Sequence, residues 1–166
     1  MNTYCRKILI GFCCVFSGFF HTGIFAQTAE ELHELAMSDY NQVSYGAAMS
    51  NFRKAADLGY APSQAKLATL LDASEFDEEA REWFKKAADQ GDLEGMTGLA
   101  RMLALGEGGE KDQASAFEWY KKAAENGSID AMLTLQSVFS NGDLGVELNP
   151  ERAEYWQKRA TAEDGQ

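Results

Sequence analysis

Few residues in this chain have the type and spacing that catalysis requires. His33 is the strongest acid–base or metal-binding candidate, set in Glu30-Glu31-Leu32-His33-Glu34. A metal site needs further ligands, however, and the only other histidine is His21, so no HExxH spacing forms. His33 therefore reads as a solvated residue on a helix. No Ser/His/Asp order can be assembled around a single histidine. The carboxylates of Asp77-Glu78-Glu79 crowd a helix start, where negative charge is favoured by the helix dipole. The glycine-rich run Gly106-Glu-Gly-Gly109 before a helix invites a phosphate-cradle reading. Against it, no Lys-Ser/Thr follows, no strand precedes, and the neighbours are acidic. Cys5, Cys13 and Cys14 are the only cysteines and all lie near the N-terminus. The chain reads as a non-enzyme with no cofactor and no metal.

That cysteine-bearing segment differs from everything after it. Arg6 and Lys7 precede an apolar run from Ile8 to Phe20, followed by His21, Thr22, Gly23 and the small residue Ala26. This is the order of a secretory signal peptide, so residues 1–26 are expected to be removed and residues 27–166 to form one domain. Ile24 is bulkier than the residue usual before a cleavage site. Retention as an anchor is the rival reading, but the run is short for a membrane span. Phe12 before Cys13, inside the apolar run, argues against a lipoprotein signal. The expected location is periplasmic or secreted, with no stable membrane span after cleavage. The remaining chain would be free of cysteine and more acidic than the −11 of the full sequence. Nucleic acid and anionic lipid are poor partners for that charge, and a basic protein is a good one.

The elements that would position any site are repeats. Trp83–Gly91 reads WFKKAADQG and returns at Trp119–Gly127 as WYKKAAENG, with forms at Phe52–Gly59 (FRKAADLG) and Trp156–Ala160 (WQKRA). Self-similarity at this period marks a stacked array. Ala80, Trp83, Phe84 and Ala87 form one stripe of a helix, as do Ala116, Trp119, Tyr120 and Ala123. In the first copy Ala48, Phe52 and Ala55 repeat it, with Asn51 where Trp would stand. Trp119 is expected in the core between adjacent pairs, and Trp156 in a fraying last copy. Glu82–Lys86 and Glu118–Lys122 read as i,i+4 pairs. Gly59, Gly91 and Gly127 follow the last helical residue, as left-handed caps do.

The spacing predicts paired helices at Ala29–Tyr40 and from Ser44, as N-cap, to Gly59. Further pairs are expected at Pro62–Leu71 with Asp77–Gln90, Glu94–Leu105 with Gln113–Asn126, and Asp130–Ser140 with Pro150–Ala162. Two columns agree on the register. Leu35, Leu67, Leu99 and Leu135 stand 32, 32 and 36 residues apart, and Ala48, Ala80, Ala116 and Ala153 stand 32, 36 and 37 apart.

The run Gly106-Glu-Gly-Gly-Glu-Lys-Asp112, then Ala116-Phe-Glu-Trp-Tyr-Lys-Lys-Ala-Ala124 and Gly127, resembles a Sel-one-like repeat, a tetratricopeptide-related hairpin of two helices. Gly145-Val146, Asn149, Ala153, Trp156 and Ala160 match the pattern again. Departures are Gly109 for Val, Ala100 and Gln136 for the Gly after Leu, and a degenerate first copy. The resemblance covers roughly residues 30–162. It implies an all-α solenoid of about four helix-turn-helix repeats wound as a right-handed superhelix, with the first helix of each pair lining a concave face. It also implies an adaptor or scaffold for protein–protein interaction, here in the bacterial envelope. The alternative is a dedicated inhibitor, such as an immunity protein against a periplasm-delivered toxin. A cysteine-rich branch linked to β-lactam binding does not fit a cysteine-free domain. If the first helices pack through Leu67, Leu99 and Leu135, the positions one before and two after are the candidate partner contacts: Lys66 and Thr69, Gly98 and Arg101, Thr134 and Ser137.

Overall fold

The computed structural model describes residues 27–163, so the expected signal peptide lies outside the described residues. Within them the chain forms eight helices in order: α1 Ala29–Asn41, α2 Tyr45–Asp57, α3 Ala61–Asp72, α4 Asp77–Asp89, α5 Leu93–Leu105, α6 Gln113–Glu125, α7 Ile129–Asn141 and α8 Pro150–Glu163. Each lies within a residue or two of the span expected from the sequence. None is long and apolar enough to cross a membrane.

Consecutive helices pair as hairpins, and each second helix packs on the first helix of the next pair. In addition α3 packs on α5, whereas no two second helices pack comparably on one another. At α3 and α5 the first helices thus approach each other more closely than any second helices do, which bends the array towards them there and makes their free side the inner face. One apolar core runs from Ala36 to Ala160. Alanines set its spacing: Ala48, Ala80, Ala116 and Ala123 are fully buried, which lets neighbouring backbones come close while Phe52, Phe84 and Tyr120 fill the space beside them.

The caps follow local chemistry. Gly59, Gly91 and Gly127 have φ of 89°, 93° and 97°. A Cβ at any of them would meet nothing within 4 Å, so glycine is required there by conformation and not by space. Asp92, Asp112 and Ser128 cap α5, α6 and α7 with their side chains, and Asn149 accepts from the Arg152 N–H at the start of α8. Ser44 stands at its expected place before α2 but makes no side-chain cap bond.

Four expectations are corrected. Leu35 is 41% exposed, and Leu32 and Ala36 are buried instead; among the described residues no helix precedes α1 to take the place in front of the leucine column's first member. Lys86 and Lys122 do not reach Glu82 and Glu118. Their ammonium groups lie over the rings of Trp83 and Trp119, 3.7 and 4.6 Å from the centroids, because each lysine is three residues beyond its indole on the same face. Trp83 and Trp156 are each 7% exposed, but Trp119 is only half-buried. The longer loop of the third repeat is the reason. A Cβ on Gly108 would stand 2.2 Å from the Asp77 carbonyl oxygen, and Arg81 donates to the carbonyls of Glu107 and Glu110. The glycine run is thus a clasp wedged against the start of α4, which opens a groove of about 480 Å³ beside Trp119. Ser115 occupies the place that Glu79 holds for the Trp83 indole and is committed to Asp112.

His33 is the fourth. It is half-buried: its Nδ1 is 2.8 Å from Oγ of the buried Ser63, and its ring sits between Phe52 and Tyr60 at 5.5 and 5.2 Å. Burial lowers its pKa from the ordinary histidine value, more than nearby Glu34 raises it. It is a packing residue that bridges α1 to α3.

Candidate functional site

The inner face carries a groove of about 630 Å³ built from three consecutive first helices. Lys66, Thr69 and Asp72 of α3 form one wall, Glu94, Thr97, Gly98 and Arg101 of α5 the middle, and Asp130 and Thr134 of α7 the other wall. Phe84 and Tyr120, from the second-helix layer, form the floor. Phe84 reaches that floor because residue 98 is glycine: a Cβ there would lie 2.3 Å from the ring carbon Cε1.

Polar contacts tie α3 to α5 across the groove. The Lys66 ammonium is 2.7 Å from the Glu94 carboxylate, which also accepts from the Thr69 hydroxyl at 3.1 Å. The Arg101 guanidinium divides its fork between Asp72 at 2.6 Å and Glu107 at 2.5 Å. Burial alone would lower the Arg101 pKa, but its two carboxylate partners raise it. Arg101 is therefore a fixed cation held at both ends. Such partly exposed pairs contribute about 0–1 kcal/mol each to stability, so their main effect is to orient side chains. Burial raises the Tyr120 phenol, which stays neutral. Burial also raises Asp92, against the hydrogen bond that this cap receives from the Gly95 N–H.

Five of the six residues singled out from the sequence line this one groove: Lys66, Thr69, Gly98, Arg101 and Thr134. Ser137 lies outside it, near the open end of α7, where its hydroxyl accepts from Asn141. The sequence reasoning missed the acids Asp72, Glu94 and Asp130 and the aromatic floor. Phe84 and Tyr120 share one place in the repeat and were legible only as core. Glu94 and Asp130 also share one place, five residues before the leucine column. Among the described residues no group of three or more His, Cys, Asp or Glu side chains could hold a metal ion. The groove has shape, hydrogen-bonding groups and charge, which suits it to holding a polypeptide.

The sequence profile of the Sel1 repeat matches residues 42–60, 77–92, 93–128 and 137–164, together more than half of the chain. The chain belongs to the Sel1 repeat family. Solved Sel1 repeat structures superpose on it. A Sel1 repeat protein from Oxalobacter formigenes has TM-score 0.73 and 25% identity, covering 81% of this chain and 58% of that one. A protective antigen present in uropathogenic Escherichia coli strains, c5321, displays the SLR fold with TM-score 0.72 and 31% identity, covering 83% of this chain and 31% of that one. A Sel1 repeat protein from Klebsiella pneumoniae shares the fold at TM-score 0.66 and 24% identity, covering 81% of this chain and 67% of that one. The chain thus spans 58% and 31% of the length of the first two. No curated protein matches it in sequence. Sel1 repeat proteins mediate protein–protein interaction. The profile passes over residues 61–76 and 129–136, so the residues that α3 and α7 contribute to the two walls of the groove lie outside the matched stretches.

Proposed function

We propose that the chain is an exported, non-catalytic scaffold of the bacterial envelope that holds a protein partner in the groove of its inner face. The observation that carries this reading is the groove itself, in which three first helices present polar side chains over an aromatic floor. Helical-repeat arrays bind through such extended surfaces. Export is supported by the positive, apolar, small-residue order of residues 1–26. The net charge of −11 favours a basic partner by speeding encounter, an effect that salt weakens over a Debye length of about 8 Å at physiological ionic strength.

The test is site-specific photo-crosslinking in the native host. A photoreactive residue at Thr97, in the groove, is expected to capture one protein partner from the envelope fraction. The same residue at Glu118, on the exposed side of α6, is expected to capture none. Absence of a Thr97 adduct, or an equal one at Glu118, would overturn the groove reading. Intact mass reports export independently: the chain is expected to begin at or near Gln27, and a chain starting at Met1 or Asn2 would refute cleavage.

A further inference from the structure

The repeat register exposes a vacancy in the groove, and the inference drawn from it rests on reading that groove as the binding face. Leu67, Leu99 and Leu135 occupy equivalent places in consecutive first helices. Five residues before Leu99 is Glu94, and five before Leu135 is Asp130. Glu94 is served by the preceding repeat, through Lys66 one residue before its leucine and Thr69 two after. One repeat along, the places that should serve Asp130 hold Gly98 and Arg101. Gly98 has no side chain, and the Phe84 ring forbids one. Arg101 is already held by Asp72 and Glu107. Thr134 donates to the Asp130 backbone carbonyl and not to its carboxylate. The exposed Asp130 carboxylate therefore lines the groove with no ion pair among the described residues.

We propose that a lysine or arginine side chain of the protein partner fills this place. Its charged head pairs with Asp130 as Lys66 pairs with Glu94, and its alkyl stem lies over Gly98, between Phe84 and Tyr120. A long cationic side chain is suited to this, because its stem covers apolar surface while its head stays in water. The charge pattern excludes the opposite occupant. Both cations lining the groove, Lys66 and Arg101, are neutralised internally, so an acidic segment would have to break existing pairs to find one.

Three fluorescent ten-residue peptides, alternating serine with lysine, glutamine or glutamate, serve as probes in anisotropy titrations against the full chain. The lysine peptide is expected to bind more tightly than the other two, and the difference to shrink in high salt. Asp130→Asn is expected to weaken the lysine peptide by about five-fold, the scale of one partly exposed ion pair. Thr134→Lys places an ammonium one helical turn beyond Asp130 and should compete to a similar extent. Glu118→Gln removes the same charge from outside the groove and should change nothing. Far-UV circular dichroism checks that each variant is folded. The proposal is overturned if wild type does not prefer lysine over glutamine, or if Asp130→Asn acts no more strongly than Glu118→Gln. In the host, the Thr97 adduct should fall in yield in both groove variants. An undiminished adduct in both sinks the cation site while leaving the groove reading intact, whereas no adduct even in wild type removes the groove reading as well.

Discussion

Removing one indole at a time measures whether the array packs as described. Trp83 is 7% exposed, belongs to the central core, donates from Nε1 to Glu79 at 3.2 Å and lies under the Lys86 ammonium. Trp83→Ala deletes a large buried ring in the middle of the array, where α4 packs on α5 of the next hairpin and is tied through Glu79 to Arg53 of the preceding one. Truncations of this kind cost about 3–5 kcal/mol. Trp119 holds the same place in the next repeat but is only half-buried, with an open groove beside it. Less apolar surface is re-exposed there and solvent already reaches the site, so Trp119→Ala is expected to cost about half as much, ~2 kcal/mol. Trp156 is as buried as Trp83 but sits on the last of the described helices, whose main packing among them is on α7. In a linear array its loss should melt the end first, giving a broadened transition and not one uniform shift. The assay is urea unfolding followed by far-UV circular dichroism, since fluorescence would change with each tryptophan removed. A Trp119→Ala cost equal to that of Trp83→Ala would refute the reasoning, because it would mean that the clasp does not open the outer layer. Trp83→Phe, which keeps most of the ring, should recover more than half of the loss.

Gly98→Ala is expected to destabilise by about 1–3 kcal/mol through its clash with Phe84, and Phe84→Leu in the same chain should relieve part of it; calorimetry of both reports this. Gly108→Ala should exceed Gly59→Ala, because the first meets the Asp77 carbonyl as well as a positive φ and the second meets only the φ; paired urea titrations decide. His33 is held neutral by burial, its pKa lowered from 6.5. Its stabilising effect is therefore fully present above that value and is lost as pH falls through it towards the lower folded pKa. Thermal melts across that window should show the loss, and His33→Gln should flatten it. Association with the captured partner should slow as salt rises while dissociation changes less, by surface-binding kinetics; an association rate indifferent to salt would refute the electrostatic argument.

Helix identity and register were legible in the sequence because they depend on residue type at fixed spacing. Alanine and aromatic at i, i+3, i+4 and i+7 can bury one stripe only as a helix, and Gly91 or Gly127 ends it because a side chain there resists a positive φ. The repeated copies then required hairpins to stack, and the leucine column placed Lys66, Thr69, Gly98, Arg101 and Thr134 along one face. Where copies differ in their surroundings, identity of sequence stopped being informative. Trp83 and Trp119 sit in nearly the same nine residues, yet one is buried and the other half-buried, because the loop at Gly108 packs on the start of α4 from outside the motif and a groove lies beside Trp119. His33 reads as a solvated residue until Ser63, 30 positions away, is seen to hold it. The groove belongs to this second kind. Its floor borrows Phe84 and Tyr120 from the other helical layer. Among the described residues the Asp130 carboxylate has no ion pair because, one repeat earlier, Gly98 has no side chain and Arg101 is already held by Asp72 and Glu107. Local spacing determines which face a residue occupies. Whether its charge is matched depends on what the neighbouring repeat brings within a few ångströms, and only the tertiary structure decides that.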